Sequence, residues 1–266
     1  MVMLKGAIHV HSTYSDGEFT LSELRETFVS AGCSFVCMTD HAEYFDATSL
    51  EAYKSECRRL SDDKFQFIPG VEYTCRERMH VLAYGVTTPV ETTEPQEVIS
   101  HIKNENGLAV IAHPMDSAFD WIESFETLPD GIETWNSKYD GRFAPRPATF
   151  ALLNRLQKRE ARMRAFYGID LHWKKQYRGL FNMVGCDTLS AEKILAAMAD
   201  GNYFASKGEL DLPSNGQLPQ PLINDFGRIQ KRYARKRQMI KKTKKLIDRF
   251  GLTVPAPLKA QLRRIF

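Results

Sequence analysis

The chain has 266 residues, of which 43% are hydrophobic and 26% are charged, and its formal net charge is +3. This composition is sufficient for one large core rather than two domains, and no run approaches the roughly 18 to 20 apolar residues of a membrane span. The first seven residues lack the apolar segment of a signal peptide. The five cysteines are odd in number and show no CxxC spacing, which is typical of a reducing compartment. We therefore expect a soluble, cytoplasmic protein.

Short apolar runs typical of strands alternate along the chain with segments of helical periodicity. The strand candidates cover residues 7–11, 34–38, 65–71, 79–84, 108–112, 131–136 and 165–169. The helix candidates cover residues 21–31, 49–60, 95–106, 147–162 and 190–199. This rhythm predicts a mainly parallel α/β barrel, with its chemistry at the C-terminal ends of the strands.

Histidines follow that expectation, because six of the seven lie at or beside the end of an apolar run. In the first run His9 and His11 alternate with Ile8 and Val10, so both imidazoles project to the same side of a strand. The following Ser15-Asp16-Gly17 turn returns a carboxylate toward that strand end, with Gly17 free to take a positive φ. A lone histidine is more often a hydrogen-bonded core residue, but two convergent imidazoles and an acid favour a site.

The next three runs together add two acids and two imidazoles. Asp40 and His41 end the second run and point to opposite sides, so we interpret His41 as a metal ligand and Asp40 as a group that orients an imidazole or carries a proton. Glu72 ends one run and His80 begins the next, and a hairpin between them would bring the two together. Alone, Glu72 would more often be a solvated loop carboxylate.

Two later runs complete the candidate set. One fully apolar run leads to His113, and another leads to Asp170 and His172, which again share one side of the chain. Imidazole nitrogens and carboxylate oxygens without a thiolate suit zinc, iron or manganese and argue against a closed structural zinc site. The predicted ligands are His9, His11, Asp16, His41, Glu72, His80, His113, Asp170 and His172.

Seven short motifs in chain order carry a resemblance to the polymerase and histidinol phosphatase (PHP) family, over residues 5 to about 207. They are His9-Val10-His11, Ser15-Asp16-Gly17, Thr39-Asp40-His41, Gly70-Val71-Glu72, His80-Val81-Leu82, Ala112-His113-Pro114 and Asp170-Leu171-His172. Each is weak alone, but all seven in order are specific. The resemblance implies a distorted seven-stranded, TIM-like β/α barrel with a trinuclear metal site that hydrolyses phosphoesters through a metal-bridging hydroxide.

The same resemblance implies how the metals, manganese, zinc or iron, are shared. One metal would be held by His9, His11, Glu72 and Asp170, a second by Glu72, His80 and His113, and the third by Asp16, His41 and His172. Six positive charges against three carboxylates leave a formal charge of +3, which attracts a phosphate dianion. Glu72 and Asp170 are therefore also predicted to be catalytic, and Asp40 to assist the leaving group with a proton.

One loop after the strand candidate 131–136 is predicted to lie over the metals. Its Lys138 and Arg142 could bind a phosphate or the distal end of the substrate. Solvated loop charges are the alternative interpretation for both residues, and for Arg76 and Arg78 on the proposed hairpin tip.

The C-terminal region differs in charge from the rest of the chain. Residues 228–266 contain 14 Lys or Arg and one acid, a formal +13, so the remainder carries −10. We expect a barrel domain over residues 1–210, an extended linker rich in Pro and Gly over 211–225, and a basic tail over 226–266. An apolar stripe of Phe226, Ile229, Tyr233, Ile240, Ile247 and Phe250 predicts a helix ending at Gly251.

The tail could dock on the acidic body as a structural helix, or bind a membrane surface or a nucleic acid. The short barrel loops favour hydrolysis of a phosphomonoester of a small metabolite, such as a nucleotide, a sugar phosphate or histidinol phosphate. The alternatives are a phosphodiesterase or nuclease acting on nucleic acid, a protein-tyrosine phosphatase, and a metal-binding regulatory module without turnover. A membrane-binding tail would make the cytoplasmic protein peripheral at the membrane.

Overall fold

Strands and helices alternate along residues 2–249, the part of the chain that the computed structural model describes. The strands are β1 Val2–Val10, β2 Phe35–Met38, β3 Asp40–His41, β4 Gln66–Ile68, β5 Gly70–Thr74, β6 His80–Tyr84, β7 Leu108–Ala112, β8 Gly131–Asn136, β9 Arg164–Gly168, β10 Phe181–Cys186, β11 Tyr203–Lys207 and β12 Leu210–Pro213. The α-helices are α1 Leu21–Ser30, α2 Ala47–Arg59, α3 Pro95–Asn104, α4 Phe119–Glu123, α5 Pro147–Gln157, α6 Ala191–Ala199 and α7 Gln220–Arg249. Single 3₁₀ turns occupy Ala42–Tyr44, Arg76–Arg78, Asp116–Ala118 and Lys174–Gln176.

The predicted helices begin where the sequence supplies a start signal. Thr20 caps α1 in a reciprocal pair with Glu23, Ser190 caps α6, and Pro95 and Pro147 occupy the first turns of α3 and α5, where no N–H is required. Strands β2, β7 and β8 are buried along their whole length, as expected of strands covered on both faces. The strand candidates from the sequence are thereby confirmed, although 65–71 divides into β4 and β5.

The strands form two six-stranded sheets over the described residues, in the orders β12-β11-β10-β1-β2-β4 and β3-β5-β6-β7-β8-β9. Neither sheet closes on itself, so the seven-stranded barrel stays a prediction. The pairing departs from the predicted mainly parallel order, because β1 pairs antiparallel with β10, and β6 pairs antiparallel with both β5 and β7. The mixed α/β class is confirmed, and so is the expectation that His80 opens its strand.

The two sheets meet at one seam beside the ends of β1 and β9. Val10 and Leu171 form an isolated parallel bridge, and the His11 N–H donates to the Leu171 carbonyl at 3.0 Å. On the other side of β1, the chain passes from β2 in the first sheet to β3 in the second through the single residue Thr39. The residues that follow β1, β3 and β9 are thus brought to one edge of the molecule.

The segment predicted as an extended linker, 211–225, is largely built into regular structure. Most of β12 lies within it and pairs antiparallel with β11, with Leu212 buried, and the Ala165 N–H donates to the Ser214 carbonyl at 2.7 Å. Pro213 ends the strand and Pro221 lies in the first turn of α7, two positions that tolerate a missing N–H. The division into a barrel domain, a linker and a tail stays a prediction.

Helix α7 begins at Gln220, six residues before the predicted tail, and packs on the body through its first half. Phe226 is buried and its ring lies 6.4 Å from that of Phe150 in α5, and the Gln230 side chain donates to the Asp140 carbonyl at 2.8 Å. Residues 234–239 are exposed on every side. The predicted stripe member Phe250 and the predicted stop at Gly251 lie outside the described residues.

No helix among residues 2–249 is both long and apolar enough to cross a membrane. All five cysteines are buried and unpaired.

Candidate metal centre

Glu72 lies at the middle of a group of imidazoles. Its Oε1 atom is 2.8 Å from Nδ1 of His80 and 3.3 Å from Nε2 of His113. Its Oε2 atom is 3.3 Å from Nε2 of His11, 3.4 Å from Nε2 of His9 and 3.7 Å from Nδ1 of His41. The hairpin of β5 and β6 places His80 beside Glu72, as the sequence predicts. One buried carboxylate therefore contacts five of the predicted ligands.

Asp170 is a second carboxylate that contacts several histidines, and it lies on the side where the two sheets meet. Its Oδ1 atom is 3.0 Å from Nδ1 of His172 and 3.8 Å from Nε2 of His9, and its Oδ2 atom is 3.9 Å from Nε2 of His113. Asp16 completes the outer side of the group, with Oδ1 3.2 Å from Nε2 of His172. All nine predicted ligands are thus brought into one continuous cluster.

Four overlapping groups within the cluster have ligand atoms within 4.8 Å of one another, which would allow each to hold a metal ion. They are His11, Asp16, His41 and His172; His9, His113 and Asp170; His9, His11 and Glu72; and His41, Glu72 and His80. The first contains the predicted third set with His11 added. The others divide the predicted first and second sets differently, so the sharing of ligands among metals stays a proposal.

Buried ring nitrogens without a hydrogen-bond partner support this fit. Both ring nitrogens of His11 and Nδ1 of His41 are buried and accept or donate no hydrogen bond in the described structure. A buried polar atom without a partner is destabilising, and a metal ion would satisfy it. Ligand atoms about 2.0 to 2.2 Å from one ion lie roughly 3.0 to 3.5 Å apart. The Glu72 oxygens lie at such distances from the Nε2 atoms of His9, His11 and His113.

Three of the ligands have a left-handed backbone. His9, His113 and Asp170 have φ angles of 60°, 29° and 50°, and these same residues form one of the four groups. Non-glycine residues rarely adopt this conformation, which costs of order 1 to 3 kcal/mol and is found at functional sites. At His9 it coincides with a register shift of β1 against β2 between Ile8 and Val10. The strained backbone turns all three side chains toward the cluster.

Glu133 in β8 is a buried carboxylate that the sequence analysis did not include. Its Oε1 atom is 2.8 Å from Nδ1 of His9, and its Oε2 atom accepts hydrogen bonds from the His113 N–H at 2.9 Å and from Asn136 Nδ2 at 2.8 Å. Asn136 Nδ2 also donates to Asp170 at 3.0 Å. Through these bonds Glu133 and Asn136 orient three of the predicted ligands, His9, His113 and Asp170. The available sequence signal was an acid next to Ile132 in the interior of a short predicted strand.

Two positions beside the cluster require glycine because a side chain would not fit there, not because the backbone has a positive φ. A Cβ at Gly168 would lie 1.8 Å from Glu133 Oε1, and a Cβ at Gly17 would lie 2.7 Å from the His11 carbonyl. Gly17 is not among the residues of positive φ, so the expectation of a positive φ there is wrong. Its turn needs glycine because the chain folds directly back on the strand end.

Asp40 lies beneath this turn. It accepts hydrogen bonds from the Ser12 N–H at 2.7 Å, from the Ser12 hydroxyl at 2.9 Å and from the Ser15 hydroxyl at 2.7 Å. Burial, only partly offset by these bonds, raises its pKa to about 6. Its described contacts hold the segment between His11 and Asp16 in place.

The two predicted substrate-binding residues differ in position. Lys138 Nζ lies 3.0 Å from Asp170 Oδ1 and 3.3 Å from each ring nitrogen of His172, so it stands at the cluster. Arg142 is exposed, with its guanidinium 4.6 Å from the Phe143 ring. Tyr139, with its ring 4.4 Å from that of His113, covers the cluster from the same loop.

Arg146 anchors that loop and was not predicted. It donates to Asp140 at 2.6 Å, to Asp116 at 2.5 Å and to the Pro114 carbonyl at 2.6 Å. The loop is thereby tied to the turn that carries His113.

The imidazoles of the cluster differ in pKa, which is lowered for some of them and raised for others. Burial lowers the pKa of His11 to about 3 despite the contact with Glu72, so His11 is neutral and ready to bind a metal. Burial also opposes protonation of His172 and His9, but neighbouring carboxylates outweigh it. Hydrogen bonds to Asp16 and Asp170 raise the pKa of His172 to about 9, and Glu133 and Asp170 raise that of His9.

The left-handed backbone at Asp170 predicts an unusual order of stability. Asp170→Gly and Asp170→Ala both remove the carboxylate, but only Gly adopts φ 50° without strain, while the left-handed form costs Ala about 1 to 2 kcal/mol. We expect metal-free Asp170→Gly to have a free energy of unfolding about 1 kcal/mol above that of Asp170→Ala, measured by urea denaturation. Asp63, which is exposed, is the control position. There the Gly variant should have a free energy of unfolding no higher than that of the Ala variant. Equal stability of the two variants at position 170 would show that the site stores no strain.

Metal affinity should rise with pH. A protonated imidazole cannot bind a metal, and in the metal-free protein His172, with a pKa of about 9, is protonated at neutral pH. Binding must displace that proton, so the apparent affinity for Mn²⁺ should increase by up to about tenfold per pH unit between pH 7 and 9. Competition with a fluorescent chelator measures this, and His101→Ala, a histidine outside the cluster, should retain the slope. An affinity independent of pH would contradict the protonated state of His172.

Comparisons with known proteins agree with this geometry. The PHP domain family model matches residues 7–255. A two-domain protein from Bacteroides vulgatus ATCC 8482, containing a predicted PHP-like metal-dependent phosphoesterase, superposes with a TM-score of 0.59 at 17% identity, over 85% of this chain and 70% of its own. The DNA polymerase/3'-5' exonuclease PolX of Bacillus subtilis (strain 168) is 30% identical over 77 residues, 26% of this chain.

The chain spans only 14% of the length of PolX, and the structural likeness at 17% identity concerns the fold. The family match, in contrast, extends over nearly the whole sequence and includes every residue of the cluster. The chain therefore belongs to the PHP domain family.

Proposed function

We propose that the chain hydrolyses a phosphomonoester of a small metabolite, such as a nucleotide, a sugar phosphate or a histidinol-phosphate-like compound, at a centre of three divalent metal ions. The observation that carries the proposal is the convergence of the nine side chains on the buried carboxylates Glu72 and Asp170. Bound manganese, zinc or iron would supply Lewis-acid charge and an activated water.

The residues around the cluster then have distinct roles. Glu72, contacted through both oxygens, would hold two metals together, and Asp170 would join the histidines on the other side. The Lys138 ammonium, already at Asp170, is suited to bind a phosphoryl oxygen. For Asp40, its bonds to Ser12 and Ser15 favour a positioning role over the proton transfer that the sequence suggested.

The size of a cavity beside His113 supports the proposal that the substrate is small. Its volume is about 480 Å³ and its lining includes Arg76, Arg78, Met115 and Trp121, which is within the range of small-molecule sites. A narrower recess lined by His113 shares Arg78 and Met115 with it. The organic part of a phosphomonoester would lie in this cavity with its phosphate toward the metals.

Hydrolysis of phosphodiesters in nucleic acid is the second candidate. It is favoured by the basic outer half of α7 and by the similarity of 77 residues to PolX, which is named as a polymerase and exonuclease.

The test is phosphate release by the manganese-loaded protein over a panel of phosphomonoesters, nucleotides and short oligonucleotides. Asp170→Ala and His113→Ala should lose metal and activity together, by roughly two orders of magnitude or more, with an unchanged circular dichroism spectrum. His101→Ala, on α3 and outside the cluster, is the matched control and should retain both. Full turnover in either ligand variant would refute the assignment.

A further inference from the structure

The loop between β8 and α5, residues 137–145, carries Lys138 and Tyr139 to the metal centre and lies outside every strand and helix. We call it the lysine loop. Four of its carbonyls accept hydrogen bonds from side chains outside the loop, namely those of Ser137, Asp140, Gly141 and Ala144. A segment without regular structure depends on such bonds both for its polar groups and for its position.

Gln230 in α7 supplies two of these four bonds from one side-chain amide. Its Nε2 atom lies 2.8 Å from the Asp140 carbonyl oxygen and 2.5 Å from the Ala144 carbonyl oxygen. An amide nitrogen carries two hydrogens, so it can donate to both carbonyls at once. One side chain of the C-terminal helix therefore joins two points of the lysine loop.

The position of Gln230 is fixed by contacts on both sides of it along α7. Four residues earlier, Phe226 is buried and its ring lies 6.4 Å from that of Phe150 in α5. Three residues later, the Tyr233 ring lies against Gly141, where a Cβ would be 3.1 Å from it. Helix α7 therefore packs both on the lysine loop and on the helix that follows the loop.

Asp140 connects the carbonyl that Gln230 binds to the part of the loop at the metal centre. Its N–H donates to the Asn136 carbonyl at 2.8 Å, and its Oδ2 atom accepts from the Asn136 N–H at 2.9 Å. The Asn136 side-chain oxygen accepts from the N–H groups of Lys138 and Tyr139, each at 3.1 Å. A displacement of Asp140 would therefore displace Lys138 as well.

The function of Lys138 depends on where its backbone lies. Its Nζ atom is 3.0 Å from Asp170 Oδ1 and 3.3 Å from each ring nitrogen of His172. A lysine ammonium is a point charge on a flexible stem. Its distance from a phosphoryl oxygen is therefore set by the backbone that carries the stem, which here is the turn closed by Asp140.

We propose that Gln230 is a positioning residue, which holds the lysine loop so that the Lys138 ammonium stands at the metal centre. The inference rests on the proposed function for the role of Lys138, and it adds a residue of the C-terminal helix to the apparatus that binds substrate. An ammonium that binds the phosphoryl group equally in the substrate and in the transition state affects KM rather than kcat.

The test compares two substitutions of glutamine by methionine in the full chain. Gln230→Met removes the amide while retaining the length of the side chain and a high helix propensity. Gln157→Met is the matched control, because Gln157 also donates to two carbonyls, those of Met163 and Asn215 at 2.9 and 3.0 Å. Gln157 ends α5, whereas the lysine loop precedes the start of that helix. A general loss of stability would affect both variants alike.

Hydrogen exchange of the metal-free proteins measures the order of the loop. The N–H groups of Lys138, Tyr139 and Asp140 are protected by bonds to Asn136, and local opening exposes them. We expect a peptide covering residues 137–145 to exchange about tenfold faster in Gln230→Met, since two hydrogen bonds are lost. It should exchange at the wild-type rate in Gln157→Met. Equal exchange of this peptide in all three proteins would overturn the inference.

Hydrolysis of p-nitrophenyl phosphate by the manganese-loaded proteins measures the consequence for Lys138. KM should rise about five- to tenfold in Gln230→Met, with kcat within about twofold of the wild type, and Gln157→Met should retain both constants. In a Lys138→Ala background, Gln230→Met should change KM no further, because Gln230 acts through Lys138. A further rise in KM there, or a loss confined to kcat, contradicts the inference.

The two measurements also separate this inference from the proposed function. If the wild type hydrolyses no phosphomonoester, the proposed function fails, and the exchange of residues 137–145 decides alone whether Gln230 positions the loop. Hydrolysis by the wild type with an unchanged KM in Gln230→Met would support the proposed function and overturn the inference.

Discussion

Burial of negative charge at the seam between the two sheets is the constraint on which the rest of the structure depends. Glu72 and Asp170 are almost completely buried, and an ionised carboxylate removed from water is destabilising by several kcal/mol unless it is paired. The fold satisfies both with imidazoles and one ammonium drawn from separate strands. The pKa of each carboxyl is held well below its usual range, since its histidine neighbours outweigh its burial. Removing Asp170 would therefore lower the pKa of His172 and His9, whose protonated forms it stabilises.

The apolar core offsets the destabilisation that the charged and strained site causes. Strands β2, β7 and β8 are buried on both faces, and burial of a large apolar side chain contributes about 1.5 to 3 kcal/mol. Against that background, left-handed conformations at His9, His113 and Asp170 are tolerated. They turn ligands of three different strands toward a common centre, which regular strand geometry would not do.

Much of this arrangement could be predicted from the sequence. The convergence of the nine candidate ligands could be predicted because short apolar strands carry the polar residues at their ends to one edge, whereas the left-handed backbone that directs His9 could not. The predicted mainly parallel order was only partly right, because the antiparallel partners of β1 and β6 depend on long-range pairing, to which local periodicity is insensitive. Glu133 was missed for a related reason, since its role depends on contacts with His9 and His113, which lie far from it in the sequence.

The structure of the C-terminal region could also be predicted only in part from the sequence. Pro213 and Pro221 predicted an extended linker, yet each occupies a position in which its missing N–H is harmless, at the end of a strand and at the start of a helix. The concentration of positive charge in residues 228–266 was evident from the sequence. That α7 packs against the loop containing Asp140 and Gly141 was not evident, because this packing depends on the burial of Phe226 against α5.

Metal content of the purified protein tests the central claim most directly, namely that Glu72 is shared between metals. Elemental analysis of the wild type after manganese loading and gel filtration should give three ions per chain. Glu72→Gln, which retains the shape of the side chain, should retain at most one, while the exposed control Glu126→Gln should retain all three. A Glu72→Gln protein that loses one ion or none would contradict a shared carboxylate at the centre of the site.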